Sequence, residues 1–249
     1  MIVTDVVSLT AICVLLISLL VRLRPGKGET YAPLLWVQVS IIAVLALSLS
    51  WIYPTLDAAL GGRNYLNLVS HLIFLGASWV YTIVLAEPFF KDRPKPVTLR
   101  LWVPITAGIG ASTCFALLDP ETTSRGMEAF TNEPAWIGYW VFNIMTLWMP
   151  ALALVPQLLE AVKHIRIKAL VIAYWAMIVG YTTSVLTVFG YIATFFSPAL
   201  IVVREVLVLI TELGLTTALI AIPVLSHQQS TEHRARQQAQ QEAAARFQR

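Results

Sequence analysis

Long apolar runs alternate with short polar segments along most of the chain. A helix needs about 20 mostly apolar residues to cross a hydrocarbon core of about 30 Å. Seven runs reach this length, with ends accurate to about three residues. They lie near residues 4–22, 32–53, 65–86, 101–118, 135–158, 169–196 and 203–225. The pattern predicts an all-α membrane protein built as a bundle of seven transmembrane helices.

The first and last runs decide this count. The first run follows Met1 without the basic segment or the small-residue cleavage site of a signal peptide, so we interpret it as a retained span. The last run contains Arg204, Glu205 and Glu212, but Glu212 is the one charged residue in 206–225. A bundle of six spans, without this run, is the alternative.

Basic residues are distributed unevenly between the predicted loops. The chain has 17 lysines and arginines, and 14 of them follow the first, third, fifth or seventh run. Short basic loops stay on the cytoplasmic side. We therefore expect the N-terminus outside and the C-terminus inside, which requires an odd number of spans. The predicted regions are a transmembrane domain at 1–225 and a cytoplasmic tail or helix at 226–249.

Composition supports a lipid environment and narrows the function classes. Hydrophobic residues make up 57% of the chain and charged residues 12%, with a mean hydropathy of +0.73. Since so few charges cannot cover a soluble globule, we exclude soluble enzymes, nucleic-acid-binding modules, disordered chains and secreted disulfide scaffolds. Cys13 and Cys114 lie in apolar runs and are expected to be free thiols.

No known catalytic or cofactor pattern is present in the sequence. All five lysines fall in or beside predicted cytoplasmic loops, so the last span has no nucleophile for a retinal Schiff base. His71 is the one histidine inside a predicted span, which leaves no bis-histidine haem site. Protease, esterase and nucleotide-binding motifs are absent too. We expect a protein that is not an enzyme and that has no cofactor and no metal site.

A few polar side chains fall at membrane depth, where they are costly and usually face the interior of a bundle. Their helical spacing and similar depth predict one outward-facing polar pocket. The predicted ligand-binding residues are Asn67, His71, Asn143 and Glu212, and the predicted pocket rim is Arg63, Tyr139, Tyr191 and Arg204. Structural alternatives are a neutral His71 bonded to a neighbouring helix, a protonated or paired Glu212, and an interfacial Arg204–Glu205 pair. Matched depth also raises the hypothesis that His71 pairs with Glu212.

Two local features carry their own expectations. In the loop before the third span, Gly61 and Gly62 permit a tight turn, Asn64 is positioned to cap the helix, and Asp57 is positioned to pair with Arg63. In the fifth span, two prolines at 150 and 156 each remove a backbone donor and are expected to kink the helix.

The tail at 226–249 is rich in glutamine, alanine and arginine. The structural interpretation is a solvated helix whose basic residues simply agree with a cytoplasmic location. The functional interpretation is a docking segment at 228–249 for a cytoplasmic protein or for anionic headgroups.

Four stretches occur in a familiar order: RLRPGKG, WIYPTLDAALGGRNYLNLVSH, the basic RPKP loop and PAWIGYWVFN. In these stretches the chain resembles a family of seven-helix actinobacterial membrane proteins, sometimes labelled as transporters. The resemblance covers most of residues 1–196 and excludes the tail. It implies a multi-pass protein of a bacterial cytoplasmic (inner) membrane and names no catalytic residues.

Two functions remain open from the sequence. The first is small-molecule sensing or transport through the outward-facing pocket. The second is a non-enzymatic adaptor or regulator, of a signalling or host-immunity type, that recruits a cytoplasmic partner through its tail. Beyond the lipid bilayer, the expected partners are therefore a small ligand or a cytoplasmic protein, and no nucleic acid. Deleting 228–249 would silence an adaptor, whereas replacing His71 and Glu212 would disable a receptor or transporter. We favour sensing or transport.

Overall fold

The computed structural model describes residues 2–23, 32–121, 123, 127, 130–165 and 167–221, of which 85% are helical and none is in a strand. The helices are α1 (Ile2–Arg22), α2 (Ala32–Leu47), α3 (Tyr53–Ala59), α4 (Tyr65–Phe90), α5 (Trp102–Leu118), α6 (Pro134–Asn143), α7 (Met145–His164), α8 (Lys168–Phe196) and α9 (201–221). Short 3₁₀ turns at Val97–Leu99 and Pro198–Leu200 precede α5 and α9. The proposed docking segment at 228–249 lies outside these residues.

The described helices follow the predicted runs with two differences. The second run ends as a long helix at Leu47, and its last residue, Tyr53, instead begins the separate short helix α3. The fifth run is divided at Ile144 into α6 and α7. Both prolines, which we expected to kink this span, lie inside α7, so the interruption precedes them. At Pro150 the missing N–H leaves the Thr146 carbonyl to another donor, and the Thr82 hydroxyl lies 3.3 Å from it.

The length of the helices and their exposed apolar faces are those of a helical membrane protein. Three helices, α4, α7 and α8, are long and apolar enough to cross a membrane. Along α8, large apolar side chains at helical spacing are exposed over the whole length of the helix. They are Ile172, Trp175, Val179, Leu186, Phe189 and Phe196. Because a soluble protein rarely exposes so long an apolar stripe, this face is suited to lipid.

The two ends of the bundle have different cores. We call the end where α4 begins and α8 ends the upper end, and the opposite end the lower end. The lower core is aliphatic and is formed mainly by α7 and α8. It includes Leu147, Ala151, Leu154, Leu158, Met177 and Ile178. The upper core is largely aromatic and joins α5, α6 and α8. It includes Phe115, Met127, Trp136, Tyr139 and Tyr191.

A buried carboxylate organises the turn that starts α4. Asp57 is fully buried and accepts hydrogen bonds from the backbone N–H groups of Asn64 and Leu66, both at 3.0 Å, and from the Thr123 hydroxyl at 2.7 Å. The cap of α4 is therefore Asp57. Our prediction of Asn64 as the cap is wrong, since its side chain makes no capping bond. Asn64 adopts a left-handed φ of 57° and its Oδ1 accepts from the Tyr53 hydroxyl at 2.9 Å.

Burial, followed by the Asp57 carboxylate, raises the pKa of the Tyr53 phenol well above its ordinary value. The hydroxyl therefore stays protonated as the donor to Asn64. Gly61 and Gly62 take positive φ values of 107° and 69°, as the predicted tight turn requires.

Helices α8 and α9 approach each other closely through two glycines. A Cβ added at Gly214 would lie 2.6 Å from the Ala176 carbonyl oxygen and 2.9 Å from the Gly180 nitrogen. Small residues allow such backbone contact, which is a common basis of helix association in membranes. The contact places Thr211 and Glu212, in the turn before Gly214, beside α8.

Candidate functional site

A cavity in the upper half of the bundle is lined by side chains of α2, α4, α6, α7, α8 and α9. It contains about 610 Å³ of empty space, its opening included. Its polar lining residues are His71, Asn143, Ser184, Thr187, Thr211 and Glu212. The remaining wall is apolar or aromatic and includes Phe74, Leu147 and Val208. A mostly apolar cleft with a few convergent polar groups is typical of a small-molecule site.

On one side of the cavity, α4 is joined to α6 through the hydroxyl of Tyr139. Asn67 Nδ2 donates to this oxygen at 3.3 Å, and His71 Nδ1 lies 2.8 Å from it. Since the hydroxyl oxygen accepts from Asn67, its own proton is available to His71. The imidazole is further held edge-on against Trp140, with ring centroids 4.8 Å apart. This cluster orients His71, which lines the cavity, whereas Asn67 lies behind it.

Asn143 and Glu212 reach the cavity from different helices. Asn143 is 1% exposed, and its Nδ2 donates to the Tyr139 carbonyl at 2.9 Å, while its Oδ1 has no hydrogen-bond partner in the described part of the chain. Glu212 is exposed on α9 and lines the cavity. The hypothesised His71–Glu212 pair is not formed: the two side chains line one cavity, but no hydrogen bond joins them.

An aromatic stack closes the side of the cavity next to α6. The rings of Trp140 and Tyr191 are nearly parallel, at 8°, with centroids 5.0 Å apart. The Arg204 guanidinium carbon lies 5.3 Å from the ring centroids of both Trp136 and Tyr191. Arg204 is 4% exposed and also contacts the carboxylate of Glu205, the partner that we expected for it. Its charge is therefore balanced beside the aromatic rings instead of within the cavity.

The structure distributes the four predicted rim residues differently from our expectation. Tyr191 lines the cavity, and Arg204 packs against its ring. Tyr139 is wrongly predicted as a rim residue, because it is fully buried and serves as the hydrogen-bond centre behind the cavity. Arg63 is also wrongly predicted at the rim and in a pair with Asp57. It lies on the surface, 3.8 Å from Asp119, because the backbone N–H groups and the Thr123 hydroxyl occupy the Asp57 carboxylate.

Sequence reasoning missed several lining residues. Ser184 and Thr187 lie on one face of α8, two turns and one turn before Tyr191, and Thr211 lies next to Glu212. A signal for them was available, because hydroxyl residues three and four positions apart inside an apolar span usually mark an interior face. Trp140 was missed because an aromatic residue near a predicted interface is equally explained as a membrane anchor.

Below the cavity lie a small group of hydroxyls and Leu147, which belongs both to the cavity wall and to the lower core. Ser78 and Thr146 are 2.7 Å apart, and Thr82 and Tyr181 are 2.9 Å apart. Beneath them the aliphatic lower core, with Leu154 and Leu158 fully buried, fills the space between α7 and α8. The cavity therefore belongs to the upper half alone.

The described part of the site holds no cluster of metal ligands. Among the residues that the structure describes, no three histidine, cysteine or acidic side chains come together as metal ligands. Comparisons with protein-family models, with curated proteins and with solved structures found no match to this chain. The family resemblance thus stays a prediction, and the proposed function is based on the chemistry of the cavity.

Proposed function

We propose that this chain is a polytopic protein of a bacterial inner membrane that binds a small molecule in the upper cavity, either to sense it or to transport it. The proposed topology has seven spans: α1, α2, α4, α5, α6 with α7, α8 and α9. The upper end faces outside, in agreement with the basic residues of the lower loops. No catalytic role is proposed.

The observation that carries this proposal is the cavity itself. Close packing normally fills the interior of a helical bundle. Here, polar side chains from four helices instead converge on an empty space. Maintaining Asn143 there with an unpartnered oxygen costs free energy, because a buried polar atom without a hydrogen bond is unfavourable. A ligand that supplies the missing hydrogen bond explains why this arrangement is useful.

The division of the bundle supports an outward-facing site. The six polar cavity residues lie about 9–18 Å from the upper helix ends at 1.5 Å per residue, while the lower half is closed by aliphatic packing. Such a geometry fits a receptor with an external ligand, and it equally fits a transporter in its outward-facing state.

Cysteine accessibility tests the proposal. In a background with Cys13 and Cys114 replaced by alanine, Val208→Cys places a thiol in the cavity wall. We expect a hydrophilic, membrane-impermeant methanethiosulfonate added to intact cells to label this thiol, because only a water-filled cavity open to the outside permits thiolate formation there. Labelling is measured by the loss of later reaction with a maleimide.

Val206→Cys provides a matched control on the same helix. Val206 is 48% exposed on the outer surface of α9 and does not line the cavity, so its thiol would lie in lipid and remain unlabelled. Equal labelling of the two positions, no labelling at 208, or labelling at 208 only from the cytoplasmic side would each contradict an outward-facing cavity.

A further inference from the structure

The serine and threonine hydroxyl groups of the cavity offer lone pairs instead of protons. Ser184 and Thr187 donate to carbonyl oxygens of α8 at 2.7 and 2.8 Å. The Thr211 hydroxyl has two acceptors at 2.9 Å, one in its own helix and one at the Thr183 hydroxyl. Because a hydroxyl has one proton and two lone pairs, these groups can only accept hydrogen bonds from a ligand.

Asn143 and Glu212 add further acceptors to the lining, while its donors are the indole N–H of Trp140, the hydroxyl of Tyr191 and Nε2–H of His71. The unpartnered oxygen of Asn143 is an acceptor whose own amide nitrogen is already used. Glu212 contributes a carboxyl group that has no ion pair or hydrogen bond with any other part of the chain that the structure describes. The residue is exposed to the cavity, so a ligand can reach it.

The described residues that line the cavity include no lysine or arginine. Arg204, the nearest described cation on α9, is occupied by Glu205 and two aromatic rings. The site therefore combines one acidic group and several acceptors with apolar walls. An anionic ligand would meet repulsion there, and a neutral ligand would leave the carboxylate unpaired.

Building on the proposed function, we infer that the ligand is a small amphipathic amine that binds as its ammonium ion. Its N–H groups donate to the Glu212 carboxylate and to the oxygens of Asn143 and Thr187, and its apolar part packs against Phe74, Leu147 and Val208. An ammonium has three donors and no acceptor, which matches the oxygens of Glu212, Asn143 and Thr187.

Three probes of nearly equal shape test the charge preference: 2-phenylethylamine, 2-phenylethanol and phenylacetate. They are titrated at pH 7 into the full chain in nanodiscs of zwitterionic lipid, with empty nanodiscs subtracted, and binding is followed by calorimetry. We expect the amine to bind at least about tenfold more tightly than the alcohol, and the acid to bind most weakly. The amine should also slow labelling of Val208→Cys, which locates it in the cavity.

Variants at one position separate charge from shape. Glu212→Gln should reduce amine affinity by about tenfold or more and leave alcohol affinity within about twofold, whereas Glu212→Asp should retain most of the amine affinity. Glu160→Gln is the matched control, because Glu160 pairs with Lys163 at the lower end of α7 and lies outside the cavity. Retained alcohol binding also shows that Glu212→Gln is folded.

The possible results distinguish the two proposals. If the alcohol or the acid binds as tightly as the amine and protects the thiol at 208, the inference of a cation is wrong and the proposed cavity stands. Amine binding that is unchanged by Glu212→Gln also overturns the inference. If none of the probes binds, the inference fails, and the labelling of the thiol at 208 alone decides whether the cavity is open to the outside.

Discussion

The upper and lower halves of this bundle use the same helices in opposite ways. In the lower half, α7 and α8 pack aliphatic side chains such as Leu154 and Met177 that are at most 1% exposed. In the upper half the same α8 contributes Ser184, Thr187 and Tyr191 to an open cavity. The aliphatic packing and the proposed binding site therefore lie at different ends of one structural unit.

The difference shows how a membrane protein maintains an internal site. In lipid, helices associate by close packing and by hydrogen bonds, since lipid tails are as apolar as leucine. The lower half gains stability from packing, while the upper half exchanges part of that packing for polar groups and an aromatic stack. Variants in the two halves should therefore lower the free energy of unfolding by different amounts, which the following substitutions test.

The largest effect is expected in the lower core. Leu154→Ala removes a fully buried side chain from α7 and leaves a cavity, so we expect a loss of about 2–5 kcal/mol in the free energy of unfolding. The measurement is reversible unfolding in mixed micelles. Leu152→Ala, on the same helix but 57% exposed, is the control and should cost far less. Equal losses at both positions would contradict a packed lower half.

An intermediate effect is expected at the turn before α4. Asp57→Asn removes the charge that accepts two backbone N–H groups, and we expect it to cost about 1–3 kcal/mol. Faster hydrogen exchange at the amides of Asn64 and Leu66 would report the loss of the cap.

The surface carboxylate at 119 offers a comparison for that change. Asp119→Asn alters only the exposed pair with Arg63 and should change stability by about 0–1 kcal/mol. If Asp57→Asn behaved like this surface variant, with no change in exchange, the capping role of Asp57 would be refuted.

The smallest effect is expected in the upper half. Thr211→Val keeps the side-chain shape but removes the hydroxyl that donates from α9 to Thr183 on α8. We expect the free energy of unfolding to fall by about 0.6 kcal/mol. The same unfolding measurement applies, with Thr217→Val on the exposed face of α9 as the control. A loss as large as that of Leu154→Ala would mean that polar contacts, and not packing, stabilise this bundle.

Much of the fold followed from patterns within single helices. The apolar runs located the long helices to within a few residues, because the length and composition of a span are local properties. The interior face of α4 was also predictable, since Asn67, His71 and Ser78 recur at helical spacing and all contact α6 or α7. The interruption at Ile144 was not predicted. The sequence indicated a kink only at the two prolines, which lie later in the same run.

The charge distribution along the chain and the polar faces of helices such as α4 were thus determined by the sequence alone, through the cost of placing polar groups in hydrocarbon. Which of those faces meet around a common space was decided only by tertiary packing. The Gly180–Gly214 approach brings α9 against α8, and the Tyr139 hydroxyl joins α6 to α4. These contacts join helices far apart in the chain, so no local pattern specifies that Tyr139 becomes a buried hydrogen-bond centre or that Asp57, instead of Asn64, caps α4.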